Sequence, residues 1–518
     1  MRNTAIARRT GRGPCAQFLL LLLVCFCAAA RPLCAQSQGS AGTNPGGRLA
    51  FGGGIPVEPA PPEGRIPDLT PSGRQPGDIS PDQPPAGMEP VPASPAGPPD
   101  AIDRWFPPER YAWSASSIDP MYRPDGSYGM RPGIWCDMNR HRFPENDVPR
   151  FLFPQDWPVR LYGWVDGGYM GNTSSPVSQF NGPYSAVDID RAQFNQTYLI
   201  LEAPRPADAS FGVGFRADAL YGSDFWLAQS AGFELDRDGS NHWNNGYYGI
   251  AIPQAYVDVG NDELSVRAGH FYTLVGYESV ASANNFFYTH SYSYQFATPF
   301  THWGAIAAWN ADDNVKIEAG AVNGWDALDA VQNHVSFIGR ATYTSDENDW
   351  WASASIIRGL EPTNQAHLVQ VQNAVANRTR YSIIFSKRLD PQVEYVFYHW
   401  LGMQEDGSPT GSAAWWYGID QYLYYLFSDT LRFAARFEWF RDEEGTRVGV
   451  NNRPANPNNP PLPGNYFAIS LGMNFLPTAN LTIRPEARYD AVNGPSLPYA
   501  DGTKKYQMLL GLDAIMRF

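Results

Sequence analysis

The chain has 518 residues, with 17% charged and 14% aromatic residues, a mean hydropathy of -0.37 and a formal net charge of -14. A soluble globular chain carries roughly 25% charge, a helical membrane protein has positive mean hydropathy, and a nucleic-acid binder shows a basic footprint; none of these fits. What remains is a secreted all-β protein or an outer-membrane β-barrel, where apolar and polar residues alternate and no long apolar run is needed.

Arg2, Arg8, Arg9 and Arg12 precede an apolar run over 18–30, and small residues follow. This pattern predicts a secretory signal peptide over 1–35, with cleavage near Ala35. The run is too short to span a bilayer. Cys15, Cys25, Cys27 and Cys34 leave with the signal, and Cys136 alone remains, so no intrachain disulfide is expected. Residues 36–100 hold 16 Pro and 12 Gly. Such a stretch cannot bury enough apolar area to offset its entropy, so 36–104 reads as a disordered, partly polyproline periplasmic linker. The alternative is a docking segment that contacts the cell wall. Over 105–157 aromatics appear (Trp105, Phe106, Tyr111, Trp113, Trp135, Phe151, Phe153), which suits a lead-in to a barrel or a plug. Charges balance up to Pro158, so 159–518, with 23 basic and 37 acidic residues, carries the whole net charge.

From residue 159 a period-two pattern predicts sixteen strands. They fall at about 159–170, 192–202, 211–222, 250–259, 264–276, 302–309, 315–323, 334–344, 349–358, 378–388, 392–401, 413–427, 431–441, 466–475, 481–490 and 505–518. The second, fourth and ninth alternate poorly. The last is the clearest: Tyr506, Met508, Leu510, Leu512, Ala514, Met516 and Phe518 share one face, and Leu509 and Ile515 are exceptions on the other. The connections alternate long and short without a break, as in a transmembrane barrel with short periplasmic turns and long external loops. The fold class is therefore all-β, a transmembrane antiparallel β-barrel of sixteen strands over 158–518, after a disordered Pro/Gly-rich segment. It sits in the bacterial cell outer membrane, with the N-terminal segment in the periplasm and lipid against the apolar faces.

The opposite faces would line a lumen, and sixteen strands leave a water-filled channel rather than a packed interior. The predicted lining includes Arg216, Asp218, Arg267, Lys316, Glu318, Arg340, Arg380, Glu394, Arg432, Arg436, Glu438, Arg484, Glu486, Arg488 and Asp513. Arg432, Arg436, Arg484 and Arg488 fall on neighbouring late strands, where an arginine ladder would screen solutes by size and charge. Equally, these groups could be ion pairs that keep the wall rigid and hydrated.

The chain ends in Phe518 on an alternating strand, which looks like the terminal signature that the barrel-assembly machinery reads. Several segments resemble the OmpL-like β-barrel porin-2 family. They are Leu161-Tyr162-Gly163-Trp164-Val165-Asp166-Gly167-Gly168, Phe211 to Tyr221-Gly222-Ser223-Asp224, Ala268-Gly269-His270-Phe271-Tyr272-Thr273-Leu274-Val275-Gly276-Tyr277-Glu278, and Val322-Asn323-Gly324-Trp325-Asp326. The resemblance covers roughly 159–518 and implies an outer-membrane porin-like channel. Trimers are common among porins of this size, so a homotrimer is an expectation by resemblance alone. In sixteen-stranded porins the third long loop folds inward, which suggests a constriction over 277–301. That loop is rich in aromatics (Tyr277, Phe286, Phe287, Tyr288, Tyr292, Tyr294), with Glu278 its only charge. Such density is easier to explain inside a lumen than in water.

No G-x-S-x-G, H-E-x-x-H or P-loop is present, and the eight His lack metal-ligand spacing. Asp236-Arg237-Asp238-Gly239-Ser240-Asn241 lacks the distant Glu of an EF-hand. The expectation is no enzyme, no cofactor, no metal and no nucleic acid. It is a channel for passive diffusion of small hydrophilic solutes, with a weak cation preference from the net acidity. The rivals are a structural or adhesive barrel with a plugged lumen, and a secreted carbohydrate-active β-protein.

Overall fold

In a computed structural model, the structure describes residues 158–518 apart from 180, 184–190, 207–209, 237–242, 245–246, 347, 364–374, 409, 429, 449–461 and 479. The expected signal peptide, the Pro-rich linker, the 105–157 segment and most of the acidic turn at 236–241 lie outside the described residues.

Seventeen segments form one closed antiparallel sheet. In chain order they are β1 (Arg160–Asn172), β2 (Ala192–Ala203), β3 (Gly212–Gly222), β4 (Gly249–Ala251), β5 (Ala255–Gly260), β6 (Leu264–Tyr272), β7 (Thr301–Asn310), β8 (Val315–Val322) and β9 (Ser336–Thr344). They continue as β10 (Trp350–Pro362), β11 (Val375–Asp390), β12 (Val393–Gln404), β13 (Ala414–Ser428), β14 (Leu431–Asp442), β15 (Gly464–Thr478), β16 (Leu481–Asn493) and β17 (Tyr506–Arg517). Because β4 and β5 both pair with β3, they make one interrupted stave, and the barrel has sixteen. It closes between β17 and β1, where Gly163 and Phe518 exchange backbone hydrogen bonds of 2.9 and 3.0 Å. Closure leaves no strand edge, the condition for a sheet to sit in lipid. Among the described residues no helix is long and apolar enough to cross a membrane. Connections alternate between short turns of two to eight residues and long loops of nine to 28. Both ends of the barrel chain lie at the short-turn end.

Burial is inverted relative to a soluble protein. Leu471 is 59% exposed and Leu510 and Leu512 51% each, while Arg488 and Glu438 are fully buried. In β17, the residues from Tyr506 to Met516 alternate as the sequence predicts. The exceptions Leu509 and Ile515 lie on the buried face, Leu509 beside Met170 and Tyr288.

The poorly alternating strands have physical causes. In β2 a bulge against Asp166 and Gly167 leaves Asn195 unpaired, so Asn195 and Gln196 are both buried and the period breaks there. The fourth stave breaks at Ile252-Pro253-Gln254, where Pro253 has no N–H for the ladder. Asp218 donates its N–H to Gln254 O at 2.8 Å, and Glu234 accepts the Ile252 N–H at 2.9 Å, so the break is satisfied. The ninth stave, β10, alternates in space, but its buried face is Trp351, Ser353, Ser355 and Ile357, too apolar to show in hydropathy.

Candidate functional site

The loop over 273–300, between β6 and β7, enters the barrel and crosses it. Residues 279–302 are buried without a break. Within it lies one short helix, α1 (Tyr292–Ala297), capped by Ser291, whose side chain accepts the Tyr294 N–H. A segment that poor in charge avoids the large penalty of burying ionised groups. Its backbone amides and carbonyls still need partners, and the wall supplies them.

Around the wall these partners fall on β2, β13, β14, β16 and β17. Gln196 donates to Val280 O (2.7 Å) and accepts from Ser282 N (3.0 Å). Arg517 donates to Ala283 O (2.9 Å), and Arg484 donates to Ser282 O (2.9 Å) and Asn285 O (2.7 Å). Glu486 accepts from Thr289 N (2.8 Å), Glu438 from Tyr292 N (2.7 Å), and Asp420 from the Ser293 hydroxyl. Arg436 is the hub. It donates to Glu278 (3.0 Å), to Thr289 O (2.8 Å) and Oγ1 (2.9 Å) and to Ser470 (3.2 Å), and it lies 4.6 Å over the Phe287 ring.

Glycines make the seats. A Cβ on Gly472 would stand 2.9 Å from the Phe287 ring, and one on Gly168 would stand 2.8 Å from the Tyr288 ring. A side chain at either position would push the loop inward. The loop's other side packs on an apolar inner face: Leu274, Val275 and Phe296 share a cluster with Ile306, Val322, Ile338, Ile357, Ile384 and Val396. At the long-loop end, neighbouring loops close over it. Arg447 donates to Phe296 O (2.6 Å), Asp326 accepts from Phe300 N and Thr301 N (2.8 Å each), and Tyr292 and Tyr499 share a hydroxyl contact of 2.7 Å. Burial pushes the Asp326 carboxyl up to about 7 against the pull of those two amides.

The predicted interior charges all lie on inward-facing positions of their strands, and most are buried. Arg436 and Arg488 stand level, each in register with Ser470 of the strand between them, β15. Glu438 and Asp490 make the next row, in register with Ala468. Arg488 reaches Glu438 (2.7 Å) and Asp490 (2.8 Å), and Arg484 holds Asp513 with both arms of its guanidinium. Arg216 holds Asp218 (2.7 Å) and Glu202 (3.4 Å). Glu318 sits between Lys316 (3.2 Å) and Arg340 (2.6 Å). Arg380 bonds the Tyr398 hydroxyl, Glu394 accepts from Ser386 (2.5 Å), and Arg432 is buried in register with Asn474. Arg267 keeps 19% side-chain exposure, 4.4 Å over the Tyr256 ring and 3.8 Å from Asp258.

The predicted loop residues also find places. Tyr277 meets Tyr424 (3.1 Å), Phe286 packs on Phe287 (centroids 5.2 Å), Tyr288 reaches Asn195 (3.5 Å), and Tyr294 stacks on His290 (4.2 Å). Sequence reasoning missed Gln196, Asp420, Asp326, Arg447 and Trp325, which grip the loop or stack at its stem; Arg447 lies 5.4 Å over Trp325. The aspartate of the Trp325-Asp326 pair was visible only as part of a family-like segment.

A closed sixteen-stave sheet, apolar outside and charged inside, with its third long loop drawn in, defines a class: a porin-like channel of the bacterial outer membrane. The family follows from the sequence. Residues 158–518 match the model described as "Putative beta-barrel porin-2, OmpL-like", and the chain belongs to that family. No curated protein matches the chain. Among solved structures it is similar to the outer membrane channel DcaP of Acinetobacter baumannii (13% identity, 70% of this chain and 97% of that one, TM-score 0.45). It is also similar to the anion-selective porin from Comamonas acidovorans (10%, 70% and 99%, 0.46) and to the trimer form of OmpT from Vibrio cholerae (10%, 70% and 99%, 0.44).

Proposed function

We propose that the barrel passes small hydrophilic solutes by passive diffusion, without chemistry. The observation that carries this is the inverted wall: charged or other polar groups face inward at every stave while the outer face is mostly apolar. Near the short turns the path follows the inner faces of β5 to β9. There Asp258 and Arg267 keep 19% side-chain exposure and Arg340 10%. Lys316 and Glu318 border the same strip. Arg216, Asp218, Arg380, Glu394, Arg432, Arg436, Glu438, Arg484, Glu486, Arg488 and Asp513 belong on this reading to the wall that grips the loop. The excess of acidic over basic residues in 159–518 gives a weak cation preference.

The short turns then face the periplasm, the segment over 36–157 lies there after signal removal, and the 36–104 stretch is a spacer that can touch the cell wall. Phe518 presents the end of β17 to the assembly machinery, and the chain works as a homotrimer. A second reading, a structural barrel with a plugged lumen, is favoured by the unbroken burial of 279–302. Swelling of proteoliposomes in graded sugars separates the two. Entry of small sugars and exclusion of large ones is expected. No swelling, both from the intact chain and from one with 277–297 replaced by a short Gly-Ser linker, would refute diffusion.

A further inference from the structure

We propose that the loop over 273–300 is a reversible plug. The channel is closed when the loop is seated, and solutes pass when it swings out as one piece. This rests on the channel reading above.

Closure is visible in the packing. The loop meets wall groups from β2 round through β17, β16 and β14 to β13 on one side, and the apolar inner face of β7 to β12 on the other. Between them the buried stretch 279–302 leaves little space. A cavity at its tip, walled by Asp166, Asp224, Asn285, Tyr288, His290 and Arg484, is about the size of a single water.

Three observations point to reversibility. First, most of the wall charges that meet the loop are paired without it, Asp420 and Arg517 being the exceptions. Arg436, Arg484 and Arg488 each hold a wall carboxylate as well as loop groups: Glu438, Asp513, and Glu438 with Asp490. When the loop leaves, these pairs remain, and the ion pair that must break is Glu278–Arg436. A wall built around a permanent core would strand its charges if the core were removed. Second, half of residues 279–298 are Ser, Thr, Asn, Gln or His. That composition tolerates water, whereas a permanent core would be apolar. The Asn284 amide nitrogen and the Tyr294 hydroxyl are buried without a hydrogen-bond partner, so seating costs these groups their solvation. Third, the two stems stand together and can turn as one. Thr273 donates to Phe300 O at 3.0 Å, and Gly276 has a φ of +120°, a conformation that favours glycine, with Thr298 3.2 Å from where its Cβ would be.

The test is a reversible lock. Ser293 and Asp420 touch across the loop–wall contact. In a chain freed of its other cysteines, Ser293→Cys with Asp420→Cys is oxidised, and cross-linking is scored by thiol titration. Single-channel recording is then made on the same protein before and after reduction. The expected result is an open probability at least tenfold lower in the oxidised form, restored by reductant. Equal conduction in the two forms would overturn the plug, because solutes would then pass beside a fixed loop. Silence of the reduced form while a chain with 277–297 excised conducts would also overturn it, since the plug would be permanent. Silence of all forms, the excised chain included, would instead sink the channel reading on which the plug rests.

Discussion

Replacing Arg436 by Ala removes the group that ties the loop to the wall most often. It takes away the contacts to Glu278 and Thr289 and the stacking on Phe287, and leaves Glu278, Glu438 and Glu486 without it in a buried site. Breaking a buried ion pair by deleting one partner costs about 3–5 kcal/mol. Glu438 keeps Arg488 at 2.7 Å, so the low end applies, about 3 kcal/mol. Since Arg484 and Arg488 keep their wall carboxylates, the molecule relieves this cost by releasing the loop rather than by unfolding the barrel. A shift of about 3 kcal/mol changes the seated-to-released ratio roughly 100-fold. The assay is open probability in planar bilayers. A heat-modifiable band on a gel confirms that the barrel is intact. Arg436→Lys, which keeps the charge but loses the fork, should fall between parent and Ala. Glu278→Gln should raise opening by roughly tenfold, because the wall pair Arg436–Glu438 survives it. An intact Arg436→Ala barrel whose open probability stays within about twofold of the parent would show that Arg436 does not hold the loop in place.

Other consequences follow from the same structure. Asp326, held by burial at about 7, keeps its proton more tightly folded than unfolded, so its contribution to stability is full below about pH 4 and is lost as pH rises through 7. Asp326→Asn should flatten that slope, read as the exchange of the Phe300 and Thr301 amides between pH 4 and 8; an unchanged slope would discount this anchor. Leu471→Arg, at the middle of β15 on the outer face, should cost about 2–4 kcal/mol in urea titrations of folding into vesicles, and no cost would mean that this face does not meet lipid. Phe518→Ala should lower the amount reaching the outer membrane in cells while refolding in detergent stays normal, because the backbone bonds to Gly163 remain. Equal loss in both settings would assign Phe518 to stability instead of assembly.

Much of this fold is legible in period two. The exposed and buried faces of β14, β16 and β17 read directly, because lipid and interior demand opposite chemistry at successive residues. Legibility failed where the ladder is irregular or the interior is apolar. The Asn195 bulge and the break at Pro253 each shift the inward positions by one residue, and the Ser/Ile face of β10 blurs the alternation. The inserted loop announced itself through its aromatics and its lone Glu278. Its partners did not. Gln196, Asp420, Asp326 and Arg447 reach it from strands and loops far away in sequence, and no local spacing marks such contacts. The arginines of β14 and β16 read equally as a ladder facing water or as ion pairs of the wall. In space Arg436 and Arg488 are taken up by carboxylates and loop carbonyls, which only the register through β15 reveals.

On the proposal above, a conducting barrel is closed by its own third long loop. Single-channel current through the intact chain, compared with a chain carrying a short Gly-Ser linker in place of 277–297, tests it most directly. Rare, brief openings are expected for the intact chain and a large, steady current for the excised one. Indistinguishable currents from the two would contradict it.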